Sequence, residues 1–258
     1  MDNTFVPCRK CHNQPTPGYI EKEVNGYRFL EKCDCRKRHD QRIWKEIRIK
    51  RIGLRPSVGD YDPRSSYKGE KSKTSMEKLV KYVEHPIIRE RLPFLYLYGP
   101  YGTQKTTLAQ WAALTLGSTS NVKYTLMRTL VKALTDDAYT SSTEDPTDIS
   151  QRKEYLQQCV SADYLFIDES FDLDKMTIYK SNYQLPFIDE FLRDRMDLRE
   201  RPTIFISNVP IAGIDSKFSA LKDLLSRTIE RKGGALQFLD NYAQIDTDFN
   251  IEDIFASV

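Results

Sequence analysis

The most constraining feature of the sequence is an apolar run, residues 94–98, followed directly by a glycine-containing loop, residues 99–107. The run is Phe-Leu-Tyr-Leu-Tyr and the loop is Gly-Pro-Tyr-Gly-Thr-Gln-Lys-Thr-Thr. A strand that ends in such a loop, with Lys-Thr at the start of a helix, is typical of a phosphate-binding site, because backbone N–H groups and the helix N-terminus attract the anion. We expect Lys105 to reach the β- and γ-phosphates of a nucleoside triphosphate and Thr106 to offer its hydroxyl to Mg²⁺.

The loop departs from the usual pattern at Gln104, where glycine normally precedes the lysine. Glycine allows the backbone to approach phosphate closely and to adopt angles that other residues rarely reach. The substitution therefore bears on the fine geometry of the loop rather than on its Lys-Thr-Thr chemistry. An ordinary strand–turn–helix with a surface lysine is the alternative interpretation. The residues predicted to bind ATP are Gly99, Pro100, Tyr101, Gly102, Thr103, Gln104, Lys105, Thr106 and Thr107.

A second apolar run, residues 164–167, ends in two acids, Asp168 and Glu169. In a parallel sheet both carboxylates would lie at the carboxyl edge of the strands, where ligands bind in open α/β folds. We expect Asp168 to hold Mg²⁺ through its waters and Glu169 to polarise the attacking water. The alternative is a strand that ends in an acidic turn, but the upstream phosphate loop favours the nucleotide site.

Two further segments carry candidate catalytic residues. The strand-like run 203–207 ends at Asn208, which is suited to position the water or the γ-phosphate, although asparagine is equally typical of a turn. The helical segment 218–231 carries Arg227, which is predicted to reach the γ-phosphate of a neighbouring subunit and neutralise transition-state charge. Arg231 lies one turn on and can share this task. A solvated helix arginine is the alternative.

Four of the five cysteines lie near the N-terminus, as a Cys-x₂-Cys pair and a Cys-x-Cys pair. Between the pairs, Asn25-Gly26 predicts a hairpin with a type I′ turn, which would bring the pairs together. Four thiolates in one place suit a tetrahedral structural Zn²⁺ site, which would supply much of the folding energy of so short a segment. His12 or His39 can replace one thiolate, and four unrelated reduced cysteines are the alternative. The predicted zinc ligands are Cys8, Cys11, Cys33 and Cys35, whereas Cys159 is predicted to be a buried core thiol.

Charge is unevenly distributed along the chain. Residues 1–60 hold 14 Lys and Arg against 8 Asp and Glu, a net charge of +6, whereas the whole 258-residue chain carries only +2. The basic excess falls in a predicted helix, residues 36–52, and indicates either an anionic or acidic partner or a solvated helix face. Residues 56–74, rich in Pro, Gly, Ser and Lys, predict a linker or a loosely packed strap. We therefore expect a basic zinc-binding domain at 1–55, the linker, and an ATPase domain at 75–258.

No stretch of the sequence is long and apolar enough for a membrane span, and the first residues lack the apolar core of a signal peptide. We expect a cytoplasmic location without membrane contact, where cysteines stay reduced and clustered ones tend to bind metal. The remaining pattern predicts helices at 108–116, 128–134 and 184–199, strands at 122–126 and 236–239, and a polar loop at 135–150.

The phosphate loop, the Asp-Glu strand, the Ser-Asn strand and the Ser-Arg helix, in that order, resemble those of AAA+ ATPases. The N-terminal part narrows the resemblance to DnaC/DnaI-type replicative helicase loaders, above all those encoded by bacteriophages. It contains Cys-x₂-Cys, Gly18-Tyr19, Asn25-Gly26 and Cys-x-Cys, then a basic helix and a Gly53-Leu54 break before the core. The resemblance spans about Cys8 to about Phe238. It implies an α/β fold, an AAA+ P-loop αβα sandwich with a parallel sheet, preceded by a small zinc-binding domain.

The resemblance also implies a function. In this family ATP-bound subunits associate side by side, and an arginine of one subunit completes the site of its neighbour. The N-terminal domain grips the hexameric DnaB-type helicase, and the core contacts single-stranded DNA. By motif match, Lys105 and Thr106 would bind the nucleotide and Mg²⁺, and Asp168 and Glu169 would act on the metal and the water. Asn208 would be the first sensor residue, and Arg227 would be the arginine finger.

Two departures distinguish this chain from the family. Besides Gln104, residues 241–244 (Asn-Tyr-Ala-Gln) hold no arginine where the family often has one that senses nucleotide. We therefore predict a weak ATPase that binds nucleotide and turns it over slowly. Two other functions stay open: a transposition-type AAA+ regulator that coats duplex DNA, against which the cysteine motif argues, and a non-hydrolysing adaptor that sequesters a host replication protein. Candidate contacts to single-stranded DNA are Lys123, Arg128 and Lys132.

Overall fold

The structure, a computed structural model, describes residues 5–14, 16–141, 144–171, 185–198, 201–214 and 219–239. Its contacts divide the chain into two compact units, Met1–Arg51 and Ile52–Val258. Residues 241–244 and the acidic C-terminal tail, on which part of the sequence argument rests, lie outside the described residues.

The first unit contains a hairpin and a long helix whose last residue belongs to the second unit. Strands β1 (Tyr19–Val24) and β2 (Tyr27–Lys32) pair antiparallel across a two-residue turn. Asn25 and Gly26 have φ of 54° and 80°, which is the backbone of the predicted type I′ turn. Helix α1 (Asp34–Ile52) follows, two residues longer at its start than the sequence pattern predicted. The hairpin prediction is confirmed. The hairpin brings the second cysteine pair back to the first.

The sheet of the second unit has five strands: β3 (Phe94–Tyr98), β4 (Val122–Leu126), β5 (Tyr164–Asp168), β6 (Thr203–Ser207) and β7 (Gly233–Gln237). They pair in parallel in the order β4-β5-β6-β3-β7. The three central strands, β5, β6 and β3, are nearly continuous buried apolar runs, as expected when both faces of a parallel sheet are covered. Since β6 lies between β5 and β3, the chain segments that leave these three strands meet at one edge of the sheet.

The helices of the second unit are α2 (Pro63–Ser66), α3 (Lys73–Glu84), α4 (Pro86–Arg91), α5 (Lys105–Leu116), α6 (Met127–Ala138), α7 (Pro146–Ser161), α8 (Leu185–Arg193) and α9 (Ser219–Lys232). Helices α3 and α5 pack on each other and on the sheet, whereas α6 to α9 surround a separate apolar cluster that contains Phe94 and Tyr96 of β3. The predicted αβα sandwich is thereby confirmed. Within the described residues, no helix meets the length and hydropathy needed to cross a membrane.

Residues 56–74, expected to be a linker or a strap, contain regular structure and buried groups. A 3₁₀ helix occupies Pro56–Asp60 and α2 follows it, capped by the carboxylate of Asp62, which accepts the Arg64 N–H. Val58 is 2% exposed and Ser72 is 1% exposed, and the Ser72 hydroxyl accepts the backbone N–H of Leu239. This segment therefore packs within the second unit.

The expected polar loop at 135–150 is shorter than predicted. Helix α6 continues to Ala138 and α7 begins at Pro146, so only the middle of the range connects two helices. Asp145 caps α7 by accepting the Thr147 N–H at 2.7 Å, and proline suits the first helical position. The whole of α7 was absent from the sequence prediction, because its first two turns are polar and carry little helical periodicity.

A buried arginine joins two layers of the second unit. Arg195 lies in a π-helical segment, Asp194–Leu198, and is 2% exposed. Its guanidinium donates to the backbone oxygens of Cys159, Val160 and Ala162 at the end of α7, at 2.9 to 3.1 Å. Carbonyls at a helix C-terminus lack partners within the helix and carry partial negative charge, so a cation is favourable there.

Candidate functional site

A cavity of about 310 Å³ lies at the carboxyl edge of the sheet. Residues 101–107 of the loop after β3 line it, together with Asp168 and Glu169 at the end of β5 and residues 206–208 at the end of β6. The cavity thus brings together most residues that the sequence proposed for nucleotide and Mg²⁺. Gly99 and Pro100 contribute through the loop itself, as their contacts with the lysine show.

The loop backbone takes conformations that favour glycine at three positions. Gly99 has φ of 149°, and a Cβ there would lie 1.9 Å from the backbone oxygen of Phe238. Gly102 has φ of 78°. Gln104 has φ of 59° and ψ of 14°. This is the left-handed conformation, which a glycine at this position would adopt without an energetic penalty. The side-chain oxygen of Gln104 accepts a hydrogen bond from the Tyr61 hydroxyl at 3.3 Å, which supports this conformation from outside the loop.

The ammonium group of Lys105 is held by its own loop. It donates to the backbone oxygens of Gly99 and Pro100 at 2.8 and 2.7 Å and to the Thr103 hydroxyl at 3.0 Å, and the residue is only 5% exposed. A buried ammonium needs such acceptors, because desolvation of an unpaired charge is costly. Phosphate oxygens could take the place of these neutral acceptors with stronger, charge-assisted bonds.

The carboxylate of Asp168 is buried and bound on both oxygens. The Tyr124 hydroxyl donates to Oδ2 at 2.6 Å, and the backbone N–H of Glu169 donates to Oδ1 at 2.8 Å. Burial, and then the charge of Asp168, raise the pKa of Tyr124 well above its usual value, so the hydroxyl stays protonated and donates. The Thr106 hydroxyl and the Asp168 carboxylate border the same cavity, and oxygen donors of this kind suit Mg²⁺.

Glu169 occupies a strained turn beside Arg128. Its φ is 54°, in the left-handed region, and its Oε2 lies 4.0 Å from Nε of Arg128. The turn is fixed from the neighbouring strand, because the Ser170 N–H donates to the Ile206 oxygen and the Ser207 hydroxyl donates to the Ser170 oxygen. The two strand ends that carry Glu169 and Asn208 are therefore hydrogen-bonded to each other.

In the first unit, the thiols of the four predicted zinc ligands lie within 4.8 Å of one another. The Sγ atom of Cys8 is 3.9 Å from that of Cys11 and 3.7 Å from that of Cys33, and the Sγ atoms of Cys11 and Cys35 are 3.3 Å apart. Tetrahedral Zn²⁺ with bonds of about 2.3 Å would hold its sulfurs about 3.8 Å apart, so the set fits the ion. A backbone hydrogen bond at Lys10 is the main cause that lowers the pKa of the Cys8 thiol to about 6, which favours the ligating thiolate.

The second unit has solved structural counterparts. The chain is similar to "Structure of AMPPCP-bound DnaA from Aquifex aeolicus", with 20% identity, a TM-score of 0.53, and coverage of 76% of this chain and 56% of that one. It is also similar to the replication initiator DnaA bound to AMPPCP and single-stranded DNA, with 16% identity, a TM-score of 0.54, and coverage of 79% and 60%. The chain has an AAA+ fold. A structure of the DnaC helicase loader matches with 15% identity, a TM-score of 0.49, and coverage of 70% and 95%.

The AAA+ likeness is one of structure alone. The chain spans about 56 to 60% of the length of the two DnaA structures. No protein-family model matches the chain, and no curated protein matches it in sequence.

Several predicted residues of the AAA+ unit lie away from the cavity. Arg227 is exposed on α9, where its Nε donates to the Asp223 oxygen at 3.3 Å, and it does not border the cavity. Lys123 donates to Gln158 at 2.8 Å and lies over the Tyr155 ring.

Sequence reasoning missed two tyrosines whose hydroxyls donate to residues that line the cavity. Tyr61 contacts Gln104 from a segment 43 residues upstream, and Tyr124 contacts Asp168 from the strand next to β5. Neither tyrosine belongs to a phosphate-binding motif. The position of Tyr124 in β4, two residues before the strand ends, is the only signal that would have placed it near the carboxyl edge.

Proposed function

We propose that the AAA+ unit binds ATP with Mg²⁺ in the 310 Å³ cavity and hydrolyses it slowly. The observation that carries the proposal is the convergence of the loop, the two acids after β5 and Asn208 on one cavity. Lys105 would exchange the loop oxygens for phosphate oxygens, and Thr106 and Asp168 would hold Mg²⁺ directly or through water. The metal would neutralise charge that develops on the phosphates.

The chain's own groups suit the remaining tasks of hydrolysis. Glu169 would orient the attacking water, and Asn208 would position that water or the γ-phosphate. The slow rate follows from Gln104, which keeps a side chain and a strained backbone where the phosphates would lie closest. Steady-state hydrolysis near the enzyme median of about 10 per second would contradict this part of the proposal.

We further propose that this ATPase serves as a switch in a loader that binds a DnaB-type replicative helicase hexamer and helps to place it on single-stranded DNA. Three features support this role: the order of the motifs, the AAA+ fold, and a basic N-terminal part with a cysteine cluster that fits Zn²⁺. Subunits would associate through their ATP sites, with Arg227 of one subunit at the nucleotide of the next. Single-stranded DNA would lie against basic residues of the core.

Mixing the protein with the replicative helicase of its host, with and without ATP, and measuring the mass of the complexes tests this role. A complex whose mass depends on ATP, and is lost with Lys105→Ala, is the expected result. Lys81→Ala, which alters a lysine outside the cavity, is the control and should behave as the unchanged protein. A complex that forms equally with Lys105→Ala would instead favour the non-hydrolysing adaptor, the function that the strained Gln104 supports as second candidate.

A further inference from the structure

Tyr124 is a buried side chain of β4 that contacts the acid proposed to hold Mg²⁺. It is 6% exposed, its ring stacks on Phe166 at a centroid distance of 6.0 Å, and its hydroxyl donates to Asp168 at 2.6 Å. Tyr124 thus joins β4 to the end of the neighbouring strand β5.

The two hydrogen bonds on Asp168 determine how its carboxylate faces the cavity. Tyr124 engages Oδ2 and the backbone of Glu169 engages Oδ1, so rotation about the last side-chain bond would break one or both. Each carboxylate oxygen can accept more than one bond, so each retains capacity for a metal ion or its water. The tyrosine therefore leaves the carboxylate available and limits its orientation.

From this geometry we propose that Tyr124 is a positioning residue for Mg²⁺: it acts through Asp168 and sets how tightly the metal, and with it the nucleotide, is held. The proposal rests on the proposed nucleotide function. Partners of metal ligands fix the orientation of the ligand, and their loss typically weakens metal affinity by about 10- to 100-fold. A phenylalanine ring fills the same volume but cannot donate to the carboxylate.

The test compares Tyr124→Phe with the unchanged chain in the binding of a fluorescent, non-hydrolysable ATP analogue, in excess Mg²⁺ and in EDTA. We expect the Mg²⁺ concentration needed for half-maximal analogue binding to rise about 10-fold, with analogue affinity in EDTA unchanged. In the background of Asp168→Asn, the same tyrosine substitution should change nothing further, because the proposed effect passes through that carboxylate.

Tyr155→Phe is the matched control. Tyr155 is a largely buried tyrosine whose hydroxyl is hydrogen-bonded to Thr125, the residue after Tyr124, so its loss perturbs the same strand without touching Asp168. We expect no change in the Mg²⁺ requirement for this variant. An equal rise in both variants would assign the effect to general loosening of the strand and overturn the proposal.

The remaining outcomes separate this inference from the nucleotide function. Failure of the unchanged chain to bind the analogue with Mg²⁺ would refute the proposed function itself. Normal binding by the unchanged chain, with an equal Mg²⁺ requirement in Tyr124→Phe, would overturn only the role of the tyrosine. If Tyr124→Phe does not fold, Tyr124→Met also removes the donor to Asp168 while keeping an apolar side chain in the sheet, and the same rise in the Mg²⁺ requirement is expected. An unchanged requirement in that variant would then overturn the proposal.

Discussion

At the scale of single residues, Gln104 combines a conformational cost with a functional consequence. A left-handed conformation costs a residue with a Cβ about 1 to 2 kcal/mol, and glycine avoids this cost. Gln104 stands where such loops usually have glycine, and its φ of 59° lies in the left-handed region. The conformational cost therefore falls on this residue. The Tyr61 hydroxyl offsets part of it through the hydrogen bond to the glutamine side chain.

We expect Gln104→Gly to raise both ATP turnover and affinity for a non-hydrolysable analogue several-fold, because the relaxed loop can approach phosphate more closely. Steady-state phosphate release and analogue titration measure the two effects. Gln104→Ala is the control: it loses the bond to Tyr61 but keeps a Cβ in the left-handed conformation, so no gain is expected. An equal gain in both variants would show that the glutamine side chain, rather than the backbone, limits the site.

At the scale of helices and strands, the cysteine cluster is expected to determine whether the first unit folds. Most residues of β1 and β2 are exposed, and Tyr27 is 79% exposed, so this hairpin buries little apolar surface of its own. We therefore expect metal binding to be the main source of its folding free energy, as in other small metal-dependent domains. The four thiols lie close enough to share one ion.

We expect one Zn²⁺ per chain, and its loss on treatment with a strong chelator or in Cys11→Ser. The first unit should then become sensitive to protease while the AAA+ unit keeps its melting temperature. Elemental analysis and limited proteolysis measure the two effects. Cys159→Ala alters a cysteine of the other unit and should retain the metal. A preparation of Cys11→Ser with full zinc content, or an unchanged chain without zinc, contradicts the assignment.

The same scale shows which parts of the fold were predictable. Four strands of the sheet were, because short apolar runs are bounded by turn residues, and the hairpin was, because Asn-Gly favours one turn type. The last strand was expected at 236–239 but occupies Gly233–Gln237, because its two glycines give no strand signal. Helix α7 was missed as a whole, because its first two turns are polar and its start is marked only by the cap at Asp145. Arg195 was recognised only as a helix residue, since its buried partners come from segments that the sequence does not bring together.

The residues of the candidate site likewise fall into those that the sequence could predict and those that it could not. The loop and the Asp-Glu pair are continuous motifs, so the sequence named Lys105 and Asp168 directly. Tyr61 and Tyr124 act across elements, and only the packing of the sheet and the 3₁₀ segment reveals them. Motifs therefore indicate the chemistry of such a site, whereas the residues that orient it depend on tertiary contacts that one sequence does not encode locally.

At the scale of the whole molecule, the position of Arg227 bears on how a complete site would form. The residue is exposed on α9 and does not border the cavity of its own chain, so we expect it to act at the cavity of a neighbouring subunit. An arginine supplied in this way stabilises transition-state charge and can contribute about 10³-fold or more to the rate. We expect Arg227→Ala to lower ATP turnover at least about 10-fold while analogue affinity stays unchanged.

Mixing two inactive variants tests the same point without reference to any other protein. A chain with Lys105→Ala lacks nucleotide binding but presents Arg227, whereas a chain with Arg227→Ala binds nucleotide but lacks the arginine. In mixed assemblies some cavities would receive both groups, so turnover should recover to a fraction of that of the unchanged chain and pass through a maximum as the ratio varies. Arg231→Ala is the comparison, because Arg231 lies one turn further along α9 and tests whether the task is shared. Full turnover by Arg227→Ala alone, or no recovery at any ratio, would mean that Arg227 does not complete a neighbouring site.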